Sequence, residues 1–452
     1  MAPLYELTAA EAAQRIRQRE LSPVALVESL LQRIDALEAK VQAWVTIDPS
    51  GALATAKQRE QEAQQGNIRG PLHGVPVGVK DIYYTAGLRT TCGSRIFTDF
   101  VPTYDATTVA RLKQAGAIIL GKTVTTEFAT ADPGPTCNPW HLEHTPGGSS
   151  SGSAAGVAAR MVPVAVGSQT GGSIQRPAAY CGVFGLKPTH GRVSNYGVFP
   201  VSWCLDHMGP LARTVTDIAL TLQVLAGHDA LDPSTSHVPV PDYLQALQRA
   251  DKAPRIGLVR QFYLERADPE LRAHVEDVAH RLARAGASVD EVKLPQSFGA
   301  VLAAHRIIMH VEAAAVHADL FRKHADLYRP KLRATIETGT LIPGISYMQA
   351  QRIRRIFRQE MSQLLQQVDV LLAPAATGPA PRDLSSTGDP SFNSPSSFSG
   401  LPAITIPSGL SVAGLPLAIQ FMGPAWAEDR LLAAARWCET TLNVHLNPPI
   451  DA

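Results

Sequence analysis

Apolar residues in this chain follow two patterns, one with a helical period and one of short unbroken runs. Ser22 followed by Pro23 favours the start of a helix, and Thr8 with Glu11 fits a capping box. Apolar residues on one face of the helix that follows are Val27, Leu30, Leu31, Ile34 and Leu37. Further helices are predicted over 106–115, 154–160, 269–287 and 347–367, and strands over 117–120, 162–166, 256–259, 368–372 and 403–407.

This alternation of helical and strand patterns is typical of an α/β fold, in which helices cover a central sheet. We divide the chain into N-terminal helices (1–60), a core segment (61–225), a helical layer expected to cap a pocket (226–365) and a C-terminal core segment (366–452). The segment 378–400 is rich in Ser, Pro and Asp, and it is either a linker or a loop over a site.

The composition narrows the classes of function. The 452 residues are 45% hydrophobic and 18% charged with a net charge of +1, so neither nucleic acid nor a membrane is an expected partner. Five cysteines without CxxC spacing indicate a reducing compartment and neither a disulfide framework nor a zinc site. The N-terminus does not resemble a signal sequence, and no unbroken apolar run reaches the ~18 residues of a membrane span. We therefore expect a cytoplasmic protein.

Three polar residues stand in glycine-rich, otherwise apolar surroundings. Lys80 ends the run GVPVGVK (74–80), Ser149 lies in GGSSSG (147–152), and Ser173 lies in TGGSI (170–174). A serine needs a base to become a nucleophile, and a lysine among apolar residues loses its charge more easily. Glycines beside a serine let backbone N–H groups approach a developing oxyanion. Together the three motifs predict an acyl-transfer site.

The segment 147–189, GGSSSGSAAGVAARMVPVAVGSQTGGSIQRPAAYCGVFGLKPT, resembles the defining stretch of the amidase signature family. Similar motifs precede it at PLHGVPVGVKD (71–81) and GAIILGKTVTTEFA (116–129). Others follow it at VDVLLAPAA (368–376), GLPAITIPSG (400–409) and GLPLAIQFMGP (414–424). The resemblance spans most of the chain and is weakest over about 226–365.

The resemblance implies one compact domain with a large mixed sheet and a metal-independent, cofactor-free serine hydrolase. Ser173 would be the nucleophile, and Ser149, in a cis peptide, would relay its proton to neutral Lys80. Ser150 would support this network. The expected oxyanion donors are the backbone N–H groups of Thr170, Gly171, Gly172 and Ser173.

The sequence departs from the commonest form of the family at three positions. Gln169 stands where Asp is usual, Gln175 where Arg is usual, and Ser151 where Gly is usual. The first two changes suggest that an ion pair is replaced by two amides, as in the malonamidase and carboxybiuret-hydrolase branch. Arg176 would there meet a substrate carboxylate; alternatively, it is a buried guanidinium that holds loop carbonyls.

The expected substrate pocket includes small residues before a turn. Thr130, Ala131 and Asp132, with Arg176, are its predicted lining. Small side chains at 130 and 131 favour a wide pocket for neutral amides, anilides or carbamates (urethanes). The alternatives are small carboxylated amides, or the glutaminase chemistry of an amidase-type subunit of a glutamine-dependent tRNA amidotransferase. The expected partner is a small molecule, and the resemblance makes a homodimer reasonable.

Three other motifs suggest different kinds of site. GAIILGKT (116–123) fits the P-loop pattern, but its apolar interior predicts a strand instead of a turning loop. GSSSG (148–152) fits the nucleophile elbow of α/β hydrolases with Ser150 as nucleophile, but a turn sequence precedes it where a strand is required. His141 and His144 lack a third metal ligand nearby, which favours a solvated loop.

Overall fold

A mixed sheet of eleven strands forms the centre of the computed structural model, which describes residues 3–248 and 250–451. The strands are β1 (Trp44–Ile47), β2 (Pro76–Lys80), β3 (Ile118–Thr123), β4 (Val164–Gln169), β5 (Phe184–Lys187), β6 (His207–Ala212), β7 (Arg255–Val259), β8 (Ser288–Val292), β9 (Val370–Pro374), β10 (Ala403–Leu410) and β11 (Pro416–Met422). Their order in the sheet is β1-β3-β2-β4-β6-β5-β10-β11-β9-β7-β8. The predicted α/β domain with a large mixed sheet is confirmed.

Fourteen α-helices pack on this sheet and on each other within the described residues. They are α1 (Ala9–Arg17), α2 (Pro23–Val41), α3 (Pro49–Gln64), α4 (Thr107–Gln114), α5 (Ser151–Ala158), α6 (Gln175–Cys181), α7 (Val215–Leu225), α8 (Tyr243–Leu247), α9 (Pro269–Arg284), α10 (Val301–His324), α11 (Pro330–Leu341), α12 (Gly344–Leu364), α13 (Ser394–Ser399) and α14 (Glu428–Leu442). The predicted capping box at Thr8 and the helix start after Ser22 are both present.

The sheet topology brings two of the predicted motifs together. β2 lies between β3 and β4 and runs parallel to both. Because carboxyl ends of parallel neighbours meet at one edge, Lys80 at the end of β2 lies beside the loop that follows Gln169 at the end of β4. This edge is where open α/β sheets place their ligand sites.

Helix α5 is buried along its whole length and carries the third motif at its N-terminus. A Cβ on Gly152 would lie 2.2 Å from the carbonyl oxygen of Ala43 and 2.4 Å from the backbone nitrogen of Val124. Only glycine permits this close approach. The small side chains of α5 therefore let the helix pack closely against these backbone segments, with Ser149 and Ser150 directed toward Lys80.

The segment 226–365 is more than the helical layer that the sequence predicts. It contains α10, α11 and α12, but it also supplies β7 and β8, which extend the sheet beyond β9 through parallel pairing. The strand predicted over 256–259 corresponds to β7, whereas β8 was not predicted, because it is a short, polar and mostly exposed strand at the edge of the sheet.

One helical stretch is apolar and long enough to cross a membrane by length and composition alone. It runs from Gln296 to Leu327 and includes α10. In the fold, α10 packs against α11, α12 and α13. A helix in the core of a protein can meet the same criterion of length and composition.

A buried ion pair ties α14 to the loop after β5. Arg192 Nε lies 3.2 Å from Glu428 Oε2, and both side chains are at most 1% exposed. The backbone N–H of Thr189 donates to Glu428 Oε1 at 2.9 Å. Glu428→Ala would leave a buried guanidinium without its counter-charge.

We expect Glu428→Ala to lower the free energy of unfolding by about 3–5 kcal/mol, measured by urea denaturation. Asp319→Ala is the control, because its pair with Arg322 is exposed, and we expect it to change stability by less than about 0.5 kcal/mol. Equal effects of the two substitutions would contradict this account of Glu428.

Candidate active site

The Lys80 amine is fully buried and surrounded by three hydroxyl groups. Its Nζ lies 2.7 Å from Ser149 Oγ, 2.8 Å from Ser168 Oγ and 3.1 Å from Ser150 Oγ. A neutral amine offers two N–H donors and one lone pair, so three hydroxyls, which both donate and accept, satisfy it completely. The structure therefore joins Lys80 to Ser149 and Ser150 as predicted, and adds Ser168.

Burial holds the pKa of Lys80 well below its usual value of 10.5, and the charge of Asp206 opposes this only in part. Within the described residues, no carboxylate forms an ion pair with Lys80. The neighbouring Asp81 turns to the other side of the strand, where it accepts hydrogen bonds from Thr91 and lies 3.7 Å from Lys122. Asp81 therefore provides no counter-charge to Lys80.

Ser149 follows a cis peptide bond to Gly148, as the family resemblance implies. Ser150 occupies the N-cap position of α5 without capping it, because its Oγ is engaged elsewhere. It contacts Lys80, donates to the Ser168 carbonyl at 3.2 Å and accepts from the Ser168 N–H at 3.2 Å. The backbone N–H of Ser150 donates to the Ser173 carbonyl at 3.2 Å, so the two serine segments lie side by side.

The loop from Thr170 to Ser173 turns its carbonyls toward the protein. The Thr170 carbonyl lies 3.0 Å from His305 Nε2, the Gly171 carbonyl accepts from Ser397 Oγ at 2.9 Å, and the Gly172 carbonyl accepts from the N–H of Arg176 at 2.9 Å. In a trans peptide the N–H points opposite to the carbonyl. The N–H group of Gly171, Gly172 or Ser173 therefore points away from the partner of the carbonyl in its own peptide, and no acceptor among the described residues engages any of the three.

These N–H groups belong to residues that line a cavity of about 180 Å³. Ser173 is half-buried at this cavity, whereas Ser149 and Ser150 lie behind it. The remaining wall is apolar or weakly polar and includes Ala129, Thr130, Ala131, Val201, Met309, Thr335, Thr387, Gly388 and Pro390. Thr130 and Ala131 both line this cavity, and the part of the segment 378–400 that precedes α13 contributes Thr387, Gly388 and Pro390 to its wall.

Asp132 was expected in this lining but turns away from it. Its carboxylate accepts hydrogen bonds from the backbone N–H groups of Leu332 at 2.7 Å and Lys331 at 3.3 Å, in the first turn of α11. A carboxylate at a helix N-terminus is stabilised by the unpaired N–H groups there. Asp132 thus anchors α11 beside the cavity, and the prediction of a substrate contact was wrong.

Arg176 lines the cavity, but the hydrogen bonds of its guanidinium go to other parts of the protein. Nη2 donates to the Gly148 carbonyl at 2.7 Å and to Thr387 Oγ1 at 2.9 Å, and Nη1 donates to the Gly388 carbonyl at 3.0 Å. The side chain is buried, and burial lowers its pKa. Of the two roles predicted for Arg176, the structure favours the guanidinium that joins the loops.

Two residues that sequence patterns did not single out hold Thr170. Asp206 accepts from Thr170 Oγ1 and from the backbone N–H of Val201, and burial raises its pKa to about 6. His305 binds the Thr170 carbonyl, and burial lowers its pKa to about 4, so its Nε2 carries the proton that the carbonyl accepts. Neither residue lies in a motif near the serines, so no local signal marks them.

The competing motifs are explained by structure. Residues 118–123 of the P-loop pattern form β3, and Lys122 at its end is buried against Asp81. A nucleophile elbow requires a strand that leads directly into the serine, but the residues 124–149 that the structure describes between β3 and Ser150 contain no strand. His144 Nδ1 contacts the Ala380 carbonyl at 2.7 Å, and the described residues contain no cluster of three or more side chains suited to hold a metal ion.

Comparison with known proteins agrees with this geometry. The family model named Amidase matches residues 25–432, so the chain belongs to the amidase family and is an enzyme of the amide C–N hydrolase class. A similar relative is one subunit of the glutamyl-tRNA(Gln) amidotransferase of Geobacter metallireducens, 39% identical over 98% of both chains.

Two solved structures share the fold over the full length of both chains. The peptide amidase of Stenotrophomonas maltophilia is 33% identical with a TM-score of 0.89. The 6-aminohexanoate cyclic dimer hydrolase is 26% identical with a TM-score of 0.90. These similarities establish the amidase signature family.

Because Arg176 satisfies three acceptors in two loops, Arg176→Ala should lower stability by at least about 2 kcal/mol. It should also lower kcat/KM for neutral aryl amides and for malonamate-like substrates together, since both need the same cavity wall. Urea denaturation and a two-substrate kinetic comparison provide the measurements. A loss confined to the carboxylated substrates would instead show that Arg176 binds substrate.

Proposed function

We propose that this protein hydrolyses neutral amides, and chemically equivalent carbamates, through an acyl-enzyme on Ser173. The observation that carries the proposal is a buried lysine amine without a counter-charge, hydrogen-bonded to Ser149 at 2.7 Å behind a cavity lined by Ser173. A neutral amine at this position is a general base, and buried lysines are suited to that role.

In the proposed acylation step, Ser173 Oγ attacks the substrate carbonyl carbon while its proton passes to Ser149 Oγ. The Ser149 proton passes in turn to the neutral Lys80 amine, which becomes an ammonium. The carbonyl oxygen gains the negative charge and is met by the N–H groups of Gly171, Gly172 and Ser173, with Thr170 as a further predicted donor. Three preorganised donors stabilise this charge without reorganisation.

The C–N bond then breaks as Lys80 returns its proton through Ser149 to the leaving nitrogen. Water enters and repeats the sequence on the ester carbonyl of acyl-Ser173, with the proton again held by Lys80. The products are a carboxylic acid and an amine, and the enzyme returns to its neutral lysine state. For a carbamate, the acid formed is the carbonic monoester or the carbamic acid, depending on which bond breaks.

The cavity lining supports a neutral acyl group. Arg176 is the only ionisable side chain among the described residues that line it, and both of its Nη atoms are already bonded to the protein. A carboxylate brought into this cavity would lose its hydration and would have to compete with the three loop acceptors for the Nη atoms of Arg176, whose Nε alone has no partner among the described residues. Small carboxylated amides of the malonamate type therefore fit less well than neutral ones.

A second candidate is the glutaminase role within an amidotransferase, favoured by the 39% identity with the Geobacter relative. Free glutamine carries an ammonium and a carboxylate, and both require charged partners when they are buried. Among the described residues that line the cavity, none is acidic and able to meet the ammonium. We therefore prefer the stand-alone amidase, and the next experiment distinguishes the two.

The purified chain should hydrolyse a neutral peptide amide or aryl amide without any added protein, and a fluorophosphonate probe should label Ser173. Lys80→Met should lower the acylation rate by at least ~100-fold, the scale of general-base catalysis. Peptide mass mapping identifies the labelled residue, and stopped-time assays measure the acylation rate. Lys122→Met is the matched control, because Lys122 is equally buried but contacts no serine.

Labelling of Ser150 would contradict the proposed nucleophile. If glutamine were the only substrate hydrolysed, and only after partner subunits were added, the amidotransferase role would be established instead. Near-normal activity of Lys80→Met would remove the lysine from the mechanism, whatever the substrate.

A further inference from the structure

Gln169, one of the departures from the common family sequence, has every hydrogen-bonding position of its side chain filled. It is fully buried at the end of β4. Oε1 accepts from the backbone N–H groups of Ile174 and Gln175, both at 2.9 Å. Nε2 donates to Gln175 Oε1 at 2.8 Å and to Ser397 Oγ at 3.1 Å. An amide offers two acceptor and two donor positions, and all four are used.

The bond to Ser397 connects Gln169 with the loop that precedes Ser173. Since Ser397 Oγ accepts from Gln169, its own proton is free to be donated, and it is directed to the Gly171 carbonyl at 2.9 Å. That carbonyl and the N–H of Gly172 belong to one trans peptide and point in opposite directions. The hydroxyl of Ser397 therefore fixes the direction in which the Gly172 N–H faces the cavity.

A carboxylate at position 169 could not do the same. It accepts hydrogen bonds but has no proton to donate, so it would face Gln175 Oε1 without a bond. It would also attract the Ser397 hydroxyl proton, because a charged acceptor competes strongly with a peptide carbonyl. The Gly171 carbonyl would then lose its partner, and the Gly172 peptide would be free to rotate.

The rest of the amide chain fixes the direction of these bonds. Gln175 Nε2 donates to Gln420 Oε1 at 2.7 Å, and Gln420 Nε2 donates to the carbonyls of Pro374 and Phe392. Because these carbonyls only accept, the orientation of Gln420 is determined, and so is that of each amide before it. Gln169 is thereby held with its donor toward Ser397.

We infer that Gln169 is a positioning residue for the oxyanion donors, acting through Ser397 on the peptide between Gly171 and Gly172. The inference rests on the proposed function, because it assumes that these N–H groups meet the oxyanion. It assigns to the neutral amide a task that neither the cavity nor the serine motifs reveal.

Gln169→Glu preserves the shape and the two acceptor bonds but removes both donors. We expect kcat on a neutral peptide amide to fall about 10- to 100-fold with KM changed less than about 3-fold, as when an oxyanion donor is weakened. A peptide aldehyde, whose hemiacetal oxygen occupies the oxyanion position, should lose affinity by the same factor. The affinity for the product peptide acid should change less than about 3-fold.

Two further variants make the test specific. Ser397→Ala removes the same hydrogen bond from the other side, so its loss in kcat should match that of Gln169→Glu. The double variant should be no slower than the slower single variant, since one interaction cannot be removed twice. Asn138→Asp is the matched control, because it places a carboxylate on an equally buried amide whose donors meet only the carbonyls of Thr145 and Tyr180, outside the chain of glutamines. It should lower Tm but leave kcat within about 3-fold.

An active wild type whose Gln169→Glu variant retains kcat and aldehyde affinity would overturn the inference and leave the proposed function intact. Losses that multiply in the double variant would show that Gln169 acts by a route other than Ser397, which also overturns it. An inactive wild type would contradict the proposed function itself.

Discussion

The burial of the Lys80 amine without a counter-charge is the constraint on which the rest of the site depends. A charged amine would lose far more hydration than the three surrounding hydroxyls return, so the folded state favours the neutral form. A neutral lysine amine has a lone pair and can accept a proton, so in the proposed mechanism it can act as a base. The serine network follows from it, because a neutral amine needs hydroxyls that both donate and accept.

The second requirement is a set of N–H groups that face the substrate before it arrives. The protein binds the carbonyl oxygens of Thr170, Gly171 and Gly172. The N–H group of each of these peptides therefore points away from the partner that binds its carbonyl. The partners come from distant parts of the chain, including α10 and α13. Segments that look peripheral in the sequence thus hold the centre of the site. α10 also supplies Met309 to the cavity wall, and the loop before α13 supplies Thr387, Gly388 and Pro390.

The sequence predicts most of the fold and the groups that meet at its centre, because both leave local signals. Glycines around Lys80, Ser149 and Ser173 mark close backbone approach, and alternating periods mark the sheet and its helices. The role of Asp132 was wrong because a local pattern cannot tell whether a carboxylate faces a pocket or the end of a helix two hundred residues away. Ser168, Asp206 and His305 were missed for a related reason, since only the packed fold brings them to the serines and their loop.

The central claim is that Lys80 is uncharged at neutral pH in the folded protein. The direct measurement is a pH titration of the protein labelled with 13C at the lysine Cε, in which the Lys80 resonance is assigned by its loss in Lys80→Met. The account predicts that this resonance has the chemical shift of a neutral amine at pH 7.5 and that its pKa lies well below the usual value of 10.5. A Lys80 resonance that keeps the shift of an ammonium ion up to about pH 10 would contradict the account.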